Sequence, residues 1–299
     1  MEGRAERVVL QISIATMSLY QLHGTADSYE SINSPQTFSP IQYSQYKYGA
    51  GQAGEAYAQE LEEAFRQHFS DLVLSPRLIV ASSPYRTIPP SSLCIAQAFL
   101  QRLNSRRKWS DSSPASLSKI GRSTLYPGDY GLLSAARRTK LMQGNYLSFE
   151  ATRLAGADLV VIDDIKVTGA HQKCVMSQAR SLDLHTLTFL YVIECMNSQV
   201  AAANPQIEDQ LNHASIRTLA EVTEVIGRPD FFFNVRICKF ILSTSNRSAL
   251  PEFLKGMTDA FCKKLYRTIL EDGYCYMDMY RESFQILHAE LQKRRLLYS

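Results

Sequence analysis

The sequence predicts an α/β protein: an open, mostly parallel sheet flanked by helices over residues 1–196, followed by a mostly helical portion, residues 197–299. Three observations lead there. The run Leu159-Val160-Val161-Ile162 is apolar without interruption, as a parallel strand buried on both faces must be, and after a short turn an amphipathic stretch runs from His171 to about Leu182. The β-branched and aromatic run Thr186 to Ile193 then completes a strand-helix-strand unit, whose right-handed crossover puts the intervening turn at the carboxyl edge of the sheet. From Asn197 onward helical spacing takes over, as in the stripe Leu254, Met257, Phe261 and Leu265.

Taken in order, Leu10, Ile12 and Ile14 alternate with polar neighbours and predict a half-buried first strand. His23 to Gln45 is rich in Ser, Pro, Thr and Tyr and reads as a long surface segment. A helix follows from about Gln52 to His68, with Tyr57, Leu61, Ala64 and Phe65 on one face. Lys47, in the stretch just before it, reads first as a solvated turn lysine and only second as a group in reach of an anionic ligand. Arg77 to Ala81 is the next buried strand, broken by Ser82-Ser83-Pro84-Tyr85-Arg86-Thr87-Ile88-Pro89-Pro90 and followed by a helix from about Ser91 to Leu103. Asn104 to Gly144 is polar, basic and turn-rich, with Arg106, Arg107, Lys108, Arg137, Arg138 and Lys140. Beyond the motif region, helices are expected over 204–227, 231–242, 251–271 and 277–297, where the stripes read as core rather than as a cofactor box.

Composition narrows the classes. At 299 residues and 45% apolar, the chain can build one large or two modest domains around a substantial core. A formal charge of +3 gives no argument for a nucleic-acid partner. No apolar run approaches the roughly 18 residues a membrane span needs. Met1 to Arg7 carries both signs of charge, and the alternation after it suits a strand better than a signal peptide. The six cysteines and six histidines show no metal-ligand spacing, which argues for reduced thiols, a cytoplasmic setting and no structural zinc.

The chemistry concentrates in one stretch. After the strand come two adjacent carboxylates, Asp163 and Asp164, then Ile165-Lys166-Val167-Thr168-Gly169-Ala170-His171 opening a helix. N–H groups at a helix start lack intrahelical partners and sit at the positive end of the dipole, so they can bind phosphate. Gly169 allows close backbone approach, Thr168 offers a hydroxyl, and the carboxylates can accept from vicinal hydroxyls about one sugar ring away.

This order of residues resembles the phosphoribosyl-diphosphate (PRPP) motif of type I phosphoribosyltransferases. The resemblance implies that Asp163 and Asp164 hold the ribose hydroxyls while Lys166, Val167, Thr168, Gly169, Ala170 and His171 wrap the 5′-phosphate. It implies that the loop after the earlier strand, with Ser82, Ser83 and Arg86, meets the pyrophosphate. A mobile loop at about 122–140 would close over the site and bring Arg137 and Lys140 to the leaving group as catalytic cations. Mg2+ would come in on PRPP oxygens without direct protein ligation.

The implied function is transfer of the 5-phosphoribosyl group from PRPP to a small-molecule acceptor, a heterocycle or a specialised metabolite, with release of pyrophosphate. The alternative is a non-catalytic, PRPP- or nucleotide-binding regulator on the same fold, for which the basic patches Arg106-Arg107-Lys108 and Lys293-Arg294-Arg295 are the argument. The helical portion would cap the sheet, select the acceptor or join two copies as a homodimer. Two residues depart from family patterns. His171 stands where many members have Thr, and a His can still donate to phosphate. Val167 stands where hypoxanthine-guanine members have an Asp that assists proton transfer at the purine.

Overall fold

The computed structural model describes residues 12–23, 28–123, 134, 136–137, 140, 146–196 and 206–297. Its sheet is built from β1 (Ser13–Leu22), β2 (Tyr29–Ser31), β3 (Leu78–Ser82), β4 (Ser116–Leu117) and two long strands, Ala157–Lys166 and Leu184–Cys195. Between them in sequence, β5 (Gly121–Arg122) and β6 (Leu147–Ser148) form a separate antiparallel pair, so the long strands are β7 and β8. The order is β2-β1-β8-β7-β3-β4, and every pairing in it is parallel except β1 with β2. A mostly parallel sheet with helices around it and a helical C-terminal part is the fold the sequence predicts.

The uninterrupted burial of Ala157 to Ile162 on β7 follows from its place between β3 and β8, with both faces covered. Strand β1 is buried later than its alternation suggests: Ile14 is 40% exposed, and the covered residues are Met17 to Tyr20 and Leu22. The buried residues of the sheet's one face and of the C-terminal helices form a continuous apolar core, so residues 206–297 pack on the α/β portion across the division expected at 196/197.

Three local expectations need correction. The surface segment expected over His23 to Gln45 ends in a helix, α1 (Pro40–Lys47), with Ser39 accepting from the Gln42 N–H and proline in its first turn. Its tyrosines Tyr43 and Tyr46 pack with Tyr57 of the next helix, Gly51–His68, and Lys47 is only 6% exposed, not solvated. Second, the helix expected to end near Leu103 runs Ser92–Trp109 and absorbs the basic Arg106-Arg107-Lys108. Arg107 is buried there and donates to the carbonyl oxygens of Val73, Ser75 and Ser113, while Arg106 pairs with Glu62. Third, two expected C-terminal helices are each broken in two. Residues 251–271 become Leu250–Gly256 and Asp259–Asp272, the second capped by Thr258. The helix expected over 204–227 is, within the described residues, Ile207–Asn212 and Leu219–Ile226, the latter started by a capping box of Thr218 and Glu221.

The remaining helices that matter here are Ala170–Ala179, Val235–Ile241 and Asp278–Lys293. Arg294, in the second basic patch, is also structural: it pairs with Glu290 and Asp259 and donates to the carbonyl oxygens of Leu254 and Met257. Among the described residues, no helix is long and apolar enough to cross a membrane.

Candidate functional site

Strand β7 continues through the acidic pair to Lys166, so the two carboxylates lie within the strand, Asp163 opposite Tyr191, rather than past its end. Successive residues of a strand face opposite sides. Asp163 and Asp164 accordingly have different neighbours.

On one side β3 stops at Ser82, in register with Ile162, and the next residue, Ser83, reaches Asp163. The Ser83 hydroxyl and the Asp164 N–H donate to Asp163 Oδ1, and Ser83 Oγ also lies 2.8 Å from Ser92 Oγ. Asp163 Oδ2 stands 2.9 Å from His171 Nδ1. Burial alone raises the Asp163 carboxyl, but the His171 ring, the Ser83 hydroxyl and the Asp164 N–H outweigh it and hold its pKa below the usual carboxylate value. On the other side, Asp164 Oδ2 meets Lys47 Nζ in a buried ion pair, with side-chain exposures of 10% and 7%, and accepts from Ser91 Oγ at 3.1 Å. Its Oδ1 accepts from the Ile165 N–H.

The turn after β7 behaves as its residues dictate. Gly169 has φ +69°, the left-handed region, and a side chain there would meet only Lys166 Cε at 3.6 Å. Conformation, not space, therefore demands glycine. The helix Ala170–Ala179 begins immediately after it. Lys166 is paired with Glu194 across the β7–β8 ladder, and Gln172 donates to Thr16 on β1. His171 Nε2 is buried and has no partner among the described residues.

These residues form one wall of an open cleft of about 940 Å³, lined by Asp163 to Gln172. Tyr191, in register with Asp163 on the neighbouring strand, stands beside them, and the rest of the lining comes from elsewhere: Arg122, Glu208, Val235, Arg236, Lys239 and Tyr274. Apart from Arg122, which begins the loop expected at 122–140, sequence reasoning singled out none of them as site residues, because they stand on different elements with no motif spacing between them. Arg236 and Lys239 are three residues apart, on one face of Val235–Ile241. That helix is set by Asn234, fully buried, which caps it by accepting from the Arg236 and Ile237 N–H groups and donates to the Lys47 carbonyl. Lys239 Nζ lies 5.2 Å from the centre of the Tyr274 ring.

A second depression, of about 870 Å³, adjoins through Arg122 and is lined also by Tyr85, Arg86, Lys119 and Glu150. Lys119 donates to the Arg86 carbonyl and sits 4.6 Å over the Tyr85 ring, while Arg122 donates to the Pro84 carbonyl at 2.8 Å. Of the residues singled out from sequence, Asp163, Asp164, Lys166, Val167, Thr168, Gly169, Ala170 and His171 come together in the cleft. Ser83 supports Asp163 from beneath, and Ser82 is buried with its hydroxyl on the Ser83 carbonyl. Arg86 is exposed in the second depression. Arg137 and Lys140 are exposed and line neither depression. Most of the loop expected at 122–140 lies outside the described residues. Among those described, no cluster of three or more His, Cys, Asp or Glu side chains is arranged to hold a metal ion.

A protein-family model described as PRTase ComF-like matches residues 14–287. No curated protein matches the chain. Among solved structures, it is similar to a hypoxanthine phosphoribosyltransferase from Staphylococcus aureus at 14% identity, over 49% of this chain and 68% of that one, with a TM-score of 0.32. It is also similar to an adenine phosphoribosyltransferase from Saccharomyces cerevisiae at 14% identity, over 48% of this chain and 72% of that one, with a TM-score of 0.30.

Proposed function

The chain belongs to the PRTase ComF-like family, and from that premise we propose that it transfers the 5-phosphoribosyl group of PRPP to an acceptor nucleophile and releases pyrophosphate. One observation carries the reading: a carboxylate, a left-handed glycine turn, a helix start and a buried, unpartnered imidazole nitrogen line one wall of a single cleft. Each of these groups meets a different part of a ribose phosphate.

In this reading the N–H groups of Gly169 to His171 and the Thr168 hydroxyl take the 5′-phosphate, and the His171 ring, when both its nitrogens carry a proton, donates to it from Nε2 while Nδ1 donates to Asp163. Asp163, held ionised by its neighbours, faces the ribose hydroxyls and favours the positive charge that builds on the ring as the bond to pyrophosphate lengthens. Asp164 acts from behind, fixed by Lys47. Arg86, Lys119 and Arg122 receive the pyrophosphate in the adjoining depression and stabilise its charge as it leaves. The acceptor forms the new bond to ribose C1 from the C-terminal side of the cleft, with Tyr274 and the helix Val235–Ile241 beside it.

Mg2+ fits this arrangement as an ion brought in on the substrate: Asp163 is a hard oxygen donor at the cleft, able to face the metal's water shell. When bound, the ion neutralises part of the pyrophosphate charge. Calorimetric titration of the chain with PRPP and Mg2+, together with pyrophosphate release across an acceptor panel, tests the proposal. Saturable PRPP binding that Gly169→Val abolishes is the expected result. No PRPP binding by the unmodified chain overturns it.

A further inference from the structure

Resting on the function proposed above, we propose that the acceptor carries an acidic group, a carboxylate or phosphate, and that Arg236 and Lys239 bind it. If the stretch Asp163 to His171 is committed to ribose 5-phosphate, the rest of the lining is what the acceptor meets. That part of the lining brings Arg122, Arg236 and Lys239 together with one further carboxylate, Glu208. Cations in such a setting recognise an anion through charge-assisted hydrogen bonds, and a guanidinium can do so in bidentate fashion. The Tyr274 ring, with Lys239 over it, adds a flat apolar surface for a planar body. The chemical class that fits is a planar ring bearing an acid.

Pyrophosphate is the competing anion, and two observations direct it elsewhere. It has its own basic depression, formed by Arg86, Lys119 and Arg122 on the β3 side of the sheet. Arg236 and Lys239 do not line that depression; they come from the C-terminal helix that Asn234 locks onto Lys47. Arg122 borders both spaces, so it can serve the leaving group while Arg236 and Lys239 serve the acceptor.

The transfer balances without a further reactant. The acceptor's N–H or O–H becomes a bond to ribose C1, the C1–pyrophosphate bond breaks, and the proton leaves to solvent or to pyrophosphate.

The test compares the unmodified chain with the Arg236→Gln, Lys239→Gln double variant. PRPP–Mg2+ affinity is measured by calorimetry, and pyrophosphate release is followed with orotate, nicotinate and anthranilate as acidic probes and adenine and hypoxanthine as neutral ones. Expected are turnover with an acidic probe, a KM for that probe raised at least about tenfold in the variant, and PRPP affinity retained within about twofold. Retained PRPP affinity also shows that the variant is folded. If PRPP binds but no acidic probe binds or reacts, or if the variant uses an acidic probe as well as the parent does, the inference fails while the proposed function stands. It fails in the same way if the variant's loss is in PRPP or pyrophosphate affinity, because the two cations would then serve the phosphates of PRPP. Absence of PRPP binding in the parent overturns the proposed function and this inference with it.

Discussion

Lys47 Nζ and Asp164 Oδ2 form an ion pair across 117 positions of sequence, both side chains buried beneath the cleft. The same lysine's carbonyl accepts from Asn234, which caps the helix carrying Arg236 and Lys239. One residue thus joins the acidic strand, its side chain holding Asp164, to the helix Val235–Ile241, its backbone holding Asn234. A turn lysine read from sequence as solvated is a structural keystone of the site.

Lys47→Met leaves a buried carboxylate without its cation and should destabilise the chain by about 3 to 5 kcal/mol. Combining it with Asp164→Leu removes both charges and should recover most of that loss. Urea unfolding of the two variants decides this; a single variant as stable as the parent would mean that Asp164 is not held by Lys47.

Asp163 and Asp164 should separate under mutation. Asp163→Asn should keep the fold and cost about 3 kcal/mol in PRPP affinity or in transition-state stabilisation, because the proposed partner of the ribose loses its charge. Asp164→Asn leaves Lys47 buried and uncompensated, so a measurable drop in unfolding free energy should accompany any kinetic effect. Equal stability of the two variants would contradict the division of roles drawn from the strand's two faces.

The His213 ring donates from Nδ1 to Asp209 and packs against Tyr48 and Phe240. The hydrogen bond to Asp209 raises its pKa, with burial opposing. A raised folded-state pKa means a stabilising contribution fully present below the unfolded value, near 6.5, and lost as pH rises through the folded one. The stability gap between the parent and His213→Gln should therefore be wider at about pH 5.5 than at about pH 8.5. Chemical unfolding at both values tests it, and a gap that widens with pH would refute the assignment.

Val167 is buried at the cleft and can neither take a proton nor pair with a base. Two distant acids that could have replaced it do not line the cleft: Asp230 accepts from the Gln52 N–H and Glu271 is exposed. Hypoxanthine and guanine should accordingly be the poorest acceptors in a competition with adenine and orotate at fixed PRPP. Preferred turnover of either oxopurine would show that the missing acid does not matter.

What the sequence determined by itself is local. A buried parallel strand must be continuously apolar, a positive φ calls for glycine, and a helix start leaves N–H groups to offer; hence β7, Gly169 and the turn that joins them were legible in consecutive residues. The alternation of apolar runs and amphipathic stretches made the α/β class legible in the same way. The helix Pro40–Lys47 was not, because its short apolar face acquires a partner only once Tyr43 and Tyr46 pack against Tyr57 of Gly51–His68.

Only the tertiary structure decided what faces what. Asp163 and Asp164 are neighbours in sequence, yet the two-residue period of the strand sends one to His171 and the other to Lys47. Arg122, Glu208, Arg236, Lys239 and Tyr274 share one cleft with the acidic strand because strand and helix packing bring separate segments to the same place. A run of residues encodes backbone geometry and burial through its own period. A charge's partner is set by distances across the fold, which no such period records.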